Sequence, residues 1–152
     1  MKAVRIILLA LALAFVSIQF IPSGIPENKP ESENSIIHSE IINDTVLTFL
    51  RASCYDCHSD QTNFPWYAKI APSSWFLAGH IKEGREQLNF SEWETYSLRK
   101  KIGKLGDIGD EVSSGEMPLK SYLLIHRDAK LDNQRKDILM KWVEESTARL
   151  MK

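Results

Sequence analysis

Cysteine is scarce in this chain: two residues in 152, Cys54 and Cys57. There is no second cysteine pair and no His-x3–5-His pair, so the usual ligand set of a structural zinc site cannot be assembled from the sequence. A glycine-rich phosphate loop is absent, and so are internal repeats. No convincing run alternates apolar and polar residues, so strands are not expected; SYLLI, residues 121–125, is the one short ambiguous stretch. Positive charge is not in excess either. The net charge is −1, and setting Lys2 and Arg5 aside leaves 17 basic against 20 acidic residues, a balance of −3. That is no footprint for nucleic acid.

What is present begins with an apolar leader, MKAVRIILLALALAFVSIQFIPSG. Lys2 and Arg5 give it a short positive start. From Ile6 to Ile21 nothing is charged, and only Ser17 and Gln19 are polar. This is the pattern of an export signal. No small-x-small cleavage site follows, because Ile21 is too large, and no cysteine follows for lipoprotein processing. The expectation is therefore a single-pass N-terminal anchor over residues 1–22, with Lys2 and Arg5 reaching the cytoplasmic surface. The rest of the chain would then lie on the periplasmic side of the cytoplasmic membrane. The alternative is secretion to the periplasm after cleavage. Residues 23–34, rich in Pro, Glu, Asn and Ser, read as a flexible tether. Residues 35–152 fit one small domain, expected to be monomeric.

That domain reads as all-α. A helix is expected from Ser35, as its cap, up to Cys54, with Ile37, Ile41, Leu47 and Leu50 on its apolar side. DQTNFPWYAKIAPSS reads as a loop. A second helix follows, capped by Ser73 or Ser74. Ser91 is expected to cap two further helical segments broken near Gly103 to Gly109. Asp132 caps the clearest helix, with Ile138, Leu139, Trp142 and Val143 as one stripe. Trp142 is expected in the core, between the terminal helices.

The chemistry concentrates in SCYDCHSD, residues 53–60. Four readings compete for Cys54, Cys57 and the adjacent His58: a zinc clip, a redox dithiol, a disulfide and a haem attachment site. Zinc lacks its other ligands. A thioredoxin-like dithiol needs a βαβ frame, and the preceding segment is helical. A disulfide leaves His58 unexplained. C-x-x-C-H is the signature of c-type haem attachment. Two thiols three positions apart reach the two vinyl groups on one porphyrin edge, and the next residue brings its imidazole under the iron. The cofactor expected is one covalently attached haem c.

CYDCHSDQTNFPWYAKIAPSSWFLAGHIKEGREQLNFSEW, followed by GEMPLKSYLLIHRDAKL, also resembles the haem-binding domain family of bacterial cytochrome c-like proteins. The Pro-Trp-Tyr loop, the Gly-His-x-x-Glu-Gly-Arg helix, the Asn-Phe-Ser-Glu-Trp stretch and the Glu-Met-Pro-Leu turn come in the family's order, over about residues 45 to 145. The resemblance implies a small c-type cytochrome domain, often membrane-tethered, and no named substrate.

The second axial ligand is read by analogy with class I cytochromes c, whose late loop returns a methionine before the last helix. Met117 has that placement, stiffened by Pro118 and turned by Gly115. His80 is the competitor, with a propionate contact or plain packing as its other roles. His126 has less support, and His38 is expected to be solvated. Trp66, Tyr67, Trp75, Trp93 and Trp142 could wall a haem or fill a helical core. A carbonyl from the Pro65 or Pro72 loop is expected to orient His58. Arg99, Lys100, Lys101 and Lys104 could meet an acidic partner, although such a run is usually solvated. The leading functional reading is a one-electron carrier serving redox partner proteins. The alternative is a haem enzyme or sensor, peroxidase-like or gas-binding, with an open sixth iron position.

Overall fold

In the computed structural model, which describes all 152 residues, the chain forms seven α-helices linked by 3-10 turns and loops, with no strand. The helices are α1 (Lys2–Ile18), α2 (Asp44–Ser53), α3 (Tyr55–His58), α4 (Ser73–Gln87), α5 (Leu98–Ser114), α6 (Lys120–Leu123) and α7 (Asn133–Leu150). The all-α expectation is met, and SYLLI forms a helical turn rather than a strand.

The leader departs from expectation. α1 has 17 residues, a rise of about 26 Å at 1.5 Å per residue, against a hydrocarbon core of about 30 Å. No helix is long and apolar enough to cross a membrane. This overturns the single-pass anchor and the periplasmic-side placement that rested on it. The helix stops short of Ile21 as the backbone tightens, with the N–H groups of Gln19, Phe20 and Ile21 donating three residues back, and Gln19 is engaged elsewhere. Its side chain accepts from the Ala71 N–H at 2.9 Å and donates to the Ala71 carbonyl at 3.1 Å.

Residues 23–34 form no helix, yet they are tied to the domain. Asn28 exchanges two hydrogen bonds with the backbone of Thr62, and the Lys29 N–H donates to the Asp60 carbonyl at 3.1 Å. The first expected helix begins later than its periodicity implied. Ser35 caps only a 3-10 turn, Ile36–His38, and α2 starts at Asp44 because the Asn43 side chain accepts from the Val46 N–H at 3.0 Å. Pro72, not Ser73 or Ser74, precedes α4 as its cap residue. Asn89 caps a 3-10 turn over Phe90–Thr95, and Ser97 rather than Ser91 caps α5.

α5 is one continuous helix across its glycines. Gly103 and Gly106 face open space, and a Cβ at Gly109 would make ordinary contact with Met140 and Val143 of α7. α5 and α7 make the main helix pair of the core. Asp132 caps α7 as expected, through the Arg135 N–H at 2.8 Å. Trp142 is buried, and its indole N–H donates to the Ile41 carbonyl at 2.8 Å, which ties the last helix to the chain before α2. Leu50, Phe90, Trp93, Leu105 and Leu139 complete the centre of this core. Each such side chain contributes about 1.5–3 kcal/mol by leaving water.

Candidate functional site

The cysteine motif occupies one helical turn at the end of α2. The Cys54 N–H still donates to Leu50, at 2.8 Å, and closes α2. The Cys54 carbonyl then accepts from the N–H of Cys57 at 3.2 Å and of His58 at 3.0 Å, which opens α3. Residues three apart on such a turn share a face, so both sulfurs project together. Both thiols are free and partly buried. Burial, then the neighbouring Cys57, pushes the Cys54 thiol up to about 12. Burial, then the Asp56 charge, pushes Cys57 up to about 11. A redox dithiol needs the opposite shift, because the thiolate is the reactive species. No group of three or more His, Cys, Asp or Glu could hold a metal ion, so the zinc clip lacks its ligands here as well.

α4 orients His58. The Nδ1 atom lies 2.9 Å from the Gly84 carbonyl and 3.1 Å from the Leu88 carbonyl. Carbonyl oxygens only accept, so Nδ1 carries the proton and Nε2 keeps its lone pair. Burial lowers the pKa of this histidine, against the smaller raising effects of the Leu88 and Gly84 carbonyls. The ring is therefore favoured in its neutral, ligating form. The carbonyls expected from the Pro65 or Pro72 loop are not the ones used. The signal available for the actual partner was Gly84, one of two glycines inside α4, since a glycine kept in a helix interior at a cost in stability can have a packing reason. A Cβ at Gly84 would lie 2.6 Å from the Cys57 carbonyl oxygen.

Cys54, Cys57 and His58 line a cleft of about 630 Å³. Leu88 and Phe90 line it from the segment after α4, and Ile108 and Val112 from α5. Met117, Pro118 and Leu119 come from the loop after α5. Gly115 ends α5 at φ +77°, in the left-handed region, and the N–H groups of Glu116 and Met117 both return to the Glu111 carbonyl at 3.1 Å. This turn delivers half-buried Met117 to the cleft. His80 lines the same cleft, and its Nε2 is buried without a hydrogen-bond partner. The Phe76 ring stands edge-on to it at 4.3 Å. Both candidates for the second axial position thus reach the cleft.

Other expected residues lie elsewhere. His126 packs on Tyr122 and shares a 2.8 Å hydrogen bond with Tyr67, and His38 is exposed. None of Trp66, Tyr67, Trp75, Trp93 or Trp142 lines the cleft; the aromatic walls are Phe90 and Tyr122. Phe90 is held by stacking on Tyr55 at 5.3 Å and meets the edge of His58 at 6.4 Å. The basic run has local partners. Lys100 sits 3.8 Å over the Tyr96 ring, Lys101 pairs with Glu94, and Lys104 pairs with Asp107 at 2.7 Å.

The cleft fits a haem by size and chemistry. Its volume lies in the roughly 300–1,000 Å³ range of cofactor sites, and nine of its 21 lining residues are hydrophobic, set among polar groups that include His58, His80, Lys104 and several carboxylates. Among those, Nε2 of His58 has no hydrogen bond from the protein, and Nε2 of His80 is orphaned. A second hollow of about 570 Å³, beside Asp60, Arg85 and Asn89, has no hydrophobic lining and no cysteine or histidine. It suits no macrocycle.

No curated protein and no solved structure matched the chain. A family model described as a haem-binding domain matches residues 13–145, a span that contains every cleft residue. The chain belongs to that family of haem-binding domains.

Proposed function

We propose that this haem-binding protein is a c-type, one-electron carrier. Cys54 and Cys57 would hold one haem through thioethers, and His58 and Met117 would ligate its iron. The observation that carries this reading is the convergence of Cys54, Cys57, His58 and Met117 on one cleft, with His58 tied down at Nδ1. Haem supplies the Fe(III)/Fe(II) couple. The chain supplies attachment, orientation and shielding. Each S–H would add across a vinyl double bond, sulfur to one carbon and hydrogen to the other, so no external oxidant or reductant would be consumed. Thiols with pKa values of about 12 and about 11 are un-ionised in the fold. The Gly84 and Leu88 carbonyls fix the imidazole plane and strengthen its donation. A methionine thioether opposite it favours the reduced iron and raises the potential.

A second reading for the sixth position is His80, favoured by its buried, unpartnered Nε2. Spectroscopy of the haem-loaded protein separates the readings. Haem should stay on the chain through denaturation and acid–acetone extraction, and Cys54→Ser with Cys57→Ser should abolish that retention. The ferric protein should show the near-infrared sulfur-to-iron band, lost in Met117→Ala and kept in His80→Ala. If His80→Ala instead turns the iron high-spin, the ligand pair is bis-histidine. A wild-type ferrous form that is five-coordinate and binds carbon monoxide would remove the carrier reading in favour of an enzyme or sensor.

A further inference from the structure

The segment that brings Met117 to the cleft is weakly embedded. α6 has no buried residue, and Leu124 and Ile125 beyond it are 77% and 62% exposed. Pro118 is the one buried residue from Met117 to Ile125, so directed contacts do most of the holding. One of them reaches the cysteine motif itself. The Tyr122 hydroxyl donates to Oδ2 of Asp56 at 2.7 Å, across 66 residues of sequence. Asp56 stands between the two cysteines, and it is held at two other points. Its Oδ1 accepts from the Asn63 N–H at 2.9 Å, and its carbonyl accepts from the Thr62 hydroxyl at 2.8 Å. A carboxylate fixed in this way is a rigid acceptor. The ring of Tyr122 is fixed as well, stacked on His126 at 4.2 Å and 12°, while His126 is bonded to Tyr67. Tyr122 also lines the cleft, together with Met117 and Asp56. A phenol donating to a half-buried carboxylate makes a charge-assisted bond, stronger than a neutral one.

We propose that Tyr122 is a positioning residue: its bond to Asp56 latches the Met117–Leu123 segment onto the cysteine motif and so controls access to the sixth iron position. This rests on the haem reading of the cleft. It assigns a role to a residue that need not touch the iron. The segment opens when the bond breaks, and a small ligand then reaches the metal.

The test is cyanide association with the ferric, haem-loaded protein, followed by stopped flow. Tyr122→Phe keeps the ring and its stack and deletes only the hydroxyl. It should raise the association rate about tenfold or more, the factor expected for loss of one hydrogen bond to a charged group. Asp56→Ala should raise it similarly, and the double variant should add little, because both remove the same bond. The near-infrared sulfur band should weaken at lower temperature in Tyr122→Phe than in the wild type. An unchanged cyanide rate in Tyr122→Phe overturns the latch, and so do independent, multiplying effects of the two variants. Should Asp56→Ala fail to mature with haem, faster amide hydrogen exchange over residues 117–123 in Tyr122→Phe decides instead, and unchanged exchange overturns it. Absence of the sulfur band in the wild type counts against Met117 as ligand. The cyanide rates still judge the latch in that case, because they report access whichever side chain is displaced.

Discussion

The Nδ1 atom of His58 is 2.9 Å from the carbonyl oxygen of Gly84, so the last turns of α4 hold the imidazole that follows the two cysteines. The contact needs α4 to lie directly on α3. A side chain at position 84 would put its Cβ 2.6 Å from the Cys57 carbonyl oxygen, 3.1 Å from its carbonyl carbon and 3.2 Å from its Cβ. Backbone cannot swing aside as a flexible side-chain tip can. The glycine thus sets the helix distance, the distance places the carbonyl, and the carbonyl sets the tautomer and the free nitrogen of His58.

Gly84→Ala should therefore destabilise the fold by about 1–3 kcal/mol, the usual range for overpacking. Gly79→Ala is the control, in the same helix with nothing within 4 Å of its Cβ. It should be neutral or stabilising by about 0.5–1 kcal/mol, since alanine is the better helix former. Denaturant midpoints of the two variants check this. Equal shifts would mean that the close approach at Cys57 has no consequence.

The thiols give a chemical prediction. Burial holds Cys54 at about 12 and Cys57 at about 11, so few thiolates exist in the folded, haem-free protein at pH 8. Alkylation by iodoacetamide should be slower in the fold than in denaturant by on the order of 10²–10³, following the thiolate fraction. Cys54 should be the slower of the two. Mass spectrometry of timed digests reads both sites, and fast labelling of folded Cys54 would contradict its burial.

The motif, its helical setting and the late methionine were legible in the sequence because they are local patterns. Cys54, Cys57 and His58 sit on one turn, and a Gly-x-Met-Pro loop follows a helix whatever surrounds it. The partners of those residues were not legible. Nothing in YDCH marks Asp56 as the acceptor for Tyr122, which comes 66 residues later. The Pro65 and Pro72 loops looked suited to orient His58, but the carbonyls at the end of α4 do so, and only the tertiary approach of α4 makes them available. The aromatic count was misleading for a related reason. Trp93 and Trp142 are drawn into the α5–α7 core, which leaves Phe90 and Tyr122 for the cleft. For the leader, composition was read correctly as apolar, but nothing in it marked Gln19 as the residue that would meet Ala71.

Two glycines expected to break α5 supply a third prediction. Gly103 and Gly106 lie inside the continuous helix, with open space where a Cβ would go. Gly103→Ala and Gly106→Ala should each stabilise by about 0.5–1 kcal/mol, through the entropy that glycine loses on folding. Their effects should add, since neither position touches a partner. Gly109→Ala is different, because Met140 and Val143 lie 3.5 and 3.6 Å from its Cβ. These are ordinary contact distances, so its methyl would also be buried and it should gain at least as much as the other two. Thermal midpoints of the three single variants test the order, and a loss of stability at Gly103 or Gly106 would show that the helix needs those glycines.

Asp60 carries the last prediction, because it joins three parts of the fold two residues after His58. Its carboxylate is 2.8 Å from the Lys29 ammonium and 3.5 Å from the Arg85 guanidinium, and it accepts from Asn89 at 3.1 Å. Its N–H donates to Ser91 at 2.9 Å. Burial alone would raise its pKa, but the bonds from Lys29 and Asn89 and the charges of Lys29 and Arg85 outweigh that and hold it below the usual carboxylate range. The two cations are not equivalent. The Lys29 side chain is 63% exposed and the Arg85 side chain 11%. Lys29→Ala removes a solvated pair and should cost at most about 1 kcal/mol. Asp60→Asn leaves Arg85 sequestered without its counter-charge and should cost more, about 1–3 kcal/mol. Adding Arg85→Gln to Asp60→Asn should cost less than the two changes summed, since both disturb one pair. Urea denaturation of the wild type and the four variants measures it. If Lys29→Ala costs as much as Asp60→Asn, or if the double variant is strictly additive, then Arg85 is not what the buried carboxylate balances.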